Sequence, residues 1–139
     1  MALGEVAGDQ VRTATPAEAV RAGADFLVNI TNDGWYGRDA WWGRTTALWQ
    51  HPAHMVMRAI ETRTGVARAA NTGFSLFVDP LGRVSARTPL FEPTVRVATL
   101  RTTRSIPLFV RWGDWVGSAA AVAAFVLLTV AGLRGRPVA

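Results

Sequence analysis

Residues 26–31 read Phe-Leu-Val-Asn-Ile-Thr, a short, largely apolar and β-branched run that breaks into Asn32-Asp33-Gly34. A run of that length closed by turn residues predicts a buried strand. Just upstream, Thr15-Pro16-Ala17-Glu18 supplies a hydroxyl N-cap, a proline at the first helical position and a glutamate three residues after the cap. This predicts a short helix to about residue 22, stopped by Gly23. A helix feeding an apolar strand is the pattern of an α/β layered sheet. Beyond the turn, residues 35–43 form a loop rich in tryptophan and glycine, and residues 45–64 read as a longer helix whose first part Pro52 should limit or kink. Residues 67–70 and 74–78 are predicted strands. Asp79-Pro80-Leu81-Gly82 is a β-turn with proline at its second position, and residues 84–87 form the return strand. Residues 95–100 alternate valine and threonine against arginine and alanine, which predicts a last strand before the C-terminal region.

The pattern then changes character. Residues 116–133 run eighteen positions without a charge, the lower end of bilayer-spanning length. Trp112 and Trp115 precede the run, with Asp114 between them, and Arg134 and Arg136 follow it. Aromatic rings and a charged pair in Arg-Trp-Gly-Asp-Trp suit the headgroup layer, so Trp112, Asp114 and Trp115 are candidate membrane-interface residues. The competing reading is an alanine-rich helix buried in a protein core. Charge alone does not orient the segment, because Arg101, Arg104 and Arg111 compete with the two terminal arginines. Residues 1–10 carry Glu5 and Asp9 and lack the apolar core of a signal peptide. The expected organisation is a partial α/β domain over 1–111, a transmembrane helix with interfacial flanks over 112–134, and a short basic tail over 135–139.

Composition narrows the chemistry. The chain has 139 residues, half of them apolar, with a net charge of +5. Its basic residues are all arginines, spread along the chain rather than clustered, which argues against nucleic acid as a partner. It contains no cysteine and no lysine, so it holds no thiol nucleophile, thiolate metal site or lysine base. His51 and His54 have the i, i+3 spacing of half a metal site, but no acid cluster lies near them in sequence; the reading assigns no metal and no cofactor.

Three stretches in order, "GADFLVNITNDGWYG", "RAIETRTGVARAANTGFSLFVDPLGRV" and "RWGDW" before the apolar run, resemble the C-terminal portion of the apolipoprotein N-acyltransferases. These are bacterial membrane enzymes of the nitrilase-like carbon-nitrogen hydrolase superfamily. The resemblance implies the C-terminal part of an α/β/β/α sandwich followed by one transmembrane helix, in the bacterial inner membrane, single-pass, with the soluble part on the outer face. It also implies a Glu, Lys and Cys triad that takes an acyl chain from a phospholipid and passes it to the amino group of a lipoprotein. A thiolate beside a lysine is an activated nucleophile, which gives that chemistry its physical basis. Counting back from Ala24-Asp25, the family's cysteine falls loosely on Ala7, with Gly8 and Asp9 over the aromatic and acid that follow it. The family's glutamate and lysine lie upstream of this sequence. The expectation is therefore a truncated or split acyltransferase, inert alone and completed by a second chain. The alternatives are a nitrilase-like amidase fragment and a non-catalytic membrane-anchored interaction module.

By the same resemblance, Asn32, Asp33, Trp35 and Gly37 rim the pocket at the C-terminal end of a strand, where open α/β sheets bind ligands. Asn71, in Asn71-Thr72-Gly73, joins them. The plainer alternative is an Asx turn with Trp35 lying over the core. Arg58 and Glu61 are either a solvated i, i+3 ion pair or structural support beside the site.

Overall fold

In the computed structural model the described residues are 3–7, 15–39, 43–103 and 105–134. The elements are β1 (Leu3–Ala7), α1 (Pro16–Arg21), β2 (Phe26–Thr31), α2 (Ala47–Thr62), β3 (Gly65–Ala70), β4 (Leu76–Val78), β5 (Val84–Ser85), α3 (Leu108–Trp112) and α4 (Trp115–Arg134). A single 3-10 turn, Asp33–Trp35, follows β2. The five strands form one sheet in the order β1-β2-β3-β4-β5. The first three are parallel and the last two form an antiparallel hairpin. Adjacent parallel strands joined by crossovers of one hand collect their helices on one face of the sheet. Accordingly, α1 and α2 share one core with Leu27, Val66, Leu76 and Val78.

Local chemistry explains the elements. Thr15 accepts from the Glu18 backbone N–H at 3.3 Å while Glu18 accepts from the Thr15 N–H at 2.6 Å, a complete capping box. Pro52 was expected to limit or kink the first part of α2; it does not end the helix, which runs through it from Ala47 to Thr62. Pro52 lies only in the second turn, so the one ladder bond it forfeits is near the helix start, and its ring is buried. Arg63, with φ 54°, ends α2 in the left-handed conformation.

The expected strand over residues 95–100 is absent. Its valines point into solvent, with Val95 86% and Val97 91% exposed, and the segment crosses the sheet instead of extending an edge. Leu100 and Arg101 pass against Gly65, and Thr103 donates to the Arg63 carbonyl at 2.5 Å. Alternation alone supplies no partner strand, and an unpartnered ladder does not form. Strand β3 starts two residues earlier than expected; β4 starts two residues later, and β5 is two residues long.

At the C-terminal end, α3 docks through Val110, which is fully buried, and the Arg21 Nε donates to the Val110 carbonyl at 2.5 Å. Helix α4 then leaves the domain. None of the window Trp115–Gly132 is buried, and its length and mean hydropathy of 1.9 suit a membrane span. Nothing in the described residues covers it as a core helix would be covered, which favours the membrane reading over the buried-core one.

Candidate functional site

On the helix-facing side of the sheet, register places Leu27 beside Val66, and next Asn29 beside Arg68. The interior thus turns from apolar to polar toward the C-terminal ends of β2 and β3. Arg68 and Asp33 side chains are both completely buried, and Arg68 Nη2 donates to Asp33 Oδ2 at 2.6 Å. The other two guanidinium nitrogens are engaged as well: Nη1 donates to Asn29 Oδ1 at 2.5 Å and Nε to the Phe74 carbonyl at 3.2 Å. A buried arginine is tolerated only when paired and hydrogen-bonded in this way.

Helix α2 adds a third polar partner. His51 Nδ1 lies 2.8 Å from Asp33 Oδ1 and 3.2 Å from Arg68 Nη2. The shorter contact is to the anion, so in the neutral ring the proton belongs on Nδ1, donated to Asp33. The ring also packs edge-on against Tyr36, centroids 5.1 Å apart. Sequence reading placed no acid beside His51; the acid is Asp33, eighteen residues upstream.

Above the ion pair sits an exposed layer of amides. Asn71 Oδ1 accepts from the Asp33 N–H at 3.1 Å and the Thr72 N–H at 2.8 Å. Its Nδ2 donates to Asn32 Oδ1 at 2.7 Å, which in turn accepts from the Gly34 N–H at 3.0 Å. The ends of β2 and β3 are thereby cross-tied. Gly73 is required here, since a Cβ would collide with the Asp33 carboxylate.

Of the residues singled out in sequence, Asn32, Asp33 and Asn71 therefore meet in one network. Gly37 flanks it, pairing with Arg44 and lying so close to Leu48 Cδ1 and the Gly43 carbonyl that a side chain would not fit. Trp35 is 83% exposed, which rules out a lid over the core. Arg58 and Glu61 form their ion pair at 2.5 Å, partly exposed on α2. Ala7 ends β1 beside Ile30, three residues before Asp33; Gly8 and Asp9 lie outside the described residues. Trp112 and Trp115 pack edge-to-face at 6.1 Å, and Asp114 Oδ1 caps α4 by accepting from the Gly117 N–H at 3.1 Å.

Arg68 and Asn29 escaped the sequence reading, and His51 was weighed there only as half of a metal site with His54. One signal was available: an arginine inside the small, apolar strand Gly65–Ala70 must find a buried acid.

A mixed sheet with helices on one face defines an α/β protein, and its polar cluster closes the carboxyl ends of the parallel strands, where such sheets commonly bind ligands. The chain belongs to the carbon-nitrogen hydrolase family, whose sequence profile matches residues 13–107. Among curated proteins it is similar to the apolipoprotein N-acyltransferase of Geobacter metallireducens, 43% identical over 110 residues, covering 76% of this chain and 20% of that protein. It is 40% identical over 117 residues to that of Chlorobaculum tepidum, covering 84% of this chain and 21% of the relative. With that of Gloeobacter violaceus it is 40% identical over 121 residues, 84% and 22% of the two chains. The chain spans about a fifth of the length of these relatives.

Proposed function

We propose that this chain supplies the pocket rim and a membrane anchor for phospholipid-to-lipoprotein N-acyl transfer, with the nucleophile contributed from outside its 139 residues. The observation that carries the reading is the Asp33–Arg68–His51 cluster beneath Asn32 and Asn71, at the carboxyl ends of parallel strands in a chain similar to N-acyltransferases. In this reading the buried charges fix the 3-10 turn and Gly37 keeps the loop tight. Asn32 and Asn71 line the mouth, and Trp35 faces acyl chain or interface. Arg58 and Glu61 support α2 from outside the rim. Trp112, Asp114 and Trp115 sit at the headgroup layer, with the soluble part on the outer face of the bacterial inner membrane and α4 crossing it once.

Acyl transfer through a thioester requires a thiol to attack the ester carbonyl and an amine to displace it. The Ala7 methyl at the end of β1 can do neither, and no cysteine stands elsewhere in the sequence. Partner chemistry follows: a second polypeptide bearing the Glu, Lys and Cys that the resemblance implies. The lack of a thiol also favours a second reading, a non-catalytic membrane-anchored module. A soluble amidase has no use for α4.

The test presents the purified chain with a phospholipid labelled in its sn-1 acyl chain and a diacylated lipopeptide. No labelled triacylated product is expected from the chain alone. Product above the no-protein control would overturn the placement of the nucleophile.

A further inference from the structure

Away from the rim, a groove of about 430 Å³ runs between α2 and the β4–β5 hairpin. Its walls are mostly apolar, from Trp49, Pro52, Val56, Phe74, Leu76 and Val84, with Ser85 the one neutral polar side chain; Trp49 packs edge-on against Phe74 with centroids 6.1 Å apart. At one edge Arg87 lies with its guanidinium carbon 4.8 Å from the centre of the Phe74 ring. Arg87 is the one charged residue lining the groove and has no carboxylate partner among the described residues. Just before it, Ala86 holds φ 50°, a left-handed conformation that costs a non-glycine residue free energy. That turn sets the course of the chain into Arg87.

We propose that this groove binds one long-chain fatty acid, the alkyl chain lying along Val56, Phe74 and Val84 and the carboxylate meeting Arg87. Shape and lining suit an alkyl chain: the apolar walls run from Trp49 to Val84 and end at one cationic edge. Charge selects the head: an unpaired guanidinium at the edge of an apolar groove matches a carboxylate in bidentate geometry and rewards an anion over a neutral head. The site is separate from the rim and stands whether or not the acyl-transfer reading does.

The experiment uses the full chain in nanodiscs of zwitterionic lipid and a palmitate carrying a photoreactive diazirine in its chain, with adducts mapped by mass spectrometry. Adducts are expected on residues 49–56 and 74–84, displaced by unlabelled palmitate about tenfold more effectively than by hexadecanol. Arg87→Gln, on an exposed side chain, should remove that preference while the fold, followed by far-ultraviolet circular dichroism, is unchanged. Ala53→Trp should block the groove and abolish the adducts there. Adducts confined to residues 115–132, or equal displacement by acid and alcohol, would overturn the proposal.

Discussion

Asp33 carries more of the structure than its place in a polar turn suggests. Fully buried, it neutralises Arg68, receives the His51 ring and has Gly73 pressed against it. Removing one partner of a buried pair leaves an uncompensated charge, at a cost of about 3–5 kcal/mol. Asp33→Asn should therefore lower the denaturant midpoint sharply in detergent, followed by tryptophan fluorescence. Asp33→Leu combined with Arg68→Met should restore a substantial part of the loss, because no charge then remains buried. His51→Gln should cost only about 1 kcal/mol, since the ring is partly exposed and Asp33 keeps Arg68. If the double variant were as unstable as Asp33→Asn, the pair would not be the source of the effect. A milder effect belongs to Glu18, whose carboxyl is held below its ordinary range chiefly by the Thr15 backbone N–H and then by the Thr15 side chain. A lowered carboxyl stabilises the fold above its unfolded value near 4.5 and loses that contribution as pH falls through the lower, folded value. Protection of the α1 amides, relative to their intrinsic exchange at each pH, should thus fall below about pH 4.5, and Glu18→Gln should flatten the dependence; an unchanged profile would disconnect the capping box from it.

Elements whose causes are local were legible. Helix α1 follows from Thr15, Pro16 and Glu18, and β2 from an apolar run ended by Asn32-Asp33-Gly34, and both appear where those residues put them. Elements that need a distant partner were not. Residues 95–100 have strand periodicity but no edge to join, and Arg68 reveals its role only once Asp33, thirty-five positions away in sequence, is folded against it. Motif resemblance grouped Asn32, Asp33 and Asn71, which the fold joins in one hydrogen-bond network; the polar cluster beneath them was not legible, because nothing in a single sequence says which side chains face one interior. Helix α4 was legible from composition, and its exposure in the structure gives that composition its consequence. The chain should stay in the membrane pellet after a carbonate wash. Replacing Leu127 and Leu128 by Arg should release it, each charge near the bilayer centre costing about 2.5–3.5 kcal/mol. Complete release of the unmodified chain would show that α4 does not span.

At the scale of the whole molecule, the described residues place helices on one face of the sheet only. The other face keeps Ile30 56% exposed, and a depression of about 260 Å³ lined by Val28, Ala67 and Phe77 lies beneath residues 94–96. Uncovered apolar surface and open sheet edges favour association. Residues 1–111 expressed alone should accordingly be poorly soluble or dimeric in sedimentation; a monomer that melts cooperatively at high concentration would contradict this. The same open face is what a complementing polypeptide would cover. The most direct measurement mixes the full chain in nanodiscs with a polypeptide carrying the upstream Glu, Lys and Cys, and follows transfer of label from phospholipid to diacylated lipopeptide. Neither partner alone should give product, the mixture should, and Asp33→Asn or Trp35→Ala in this chain should reduce the rate of the mixture. Turnover by this chain alone, or a mixture whose two chains co-purify yet whose rate ignores both substitutions, would contradict a rim built here for a nucleophile supplied from elsewhere.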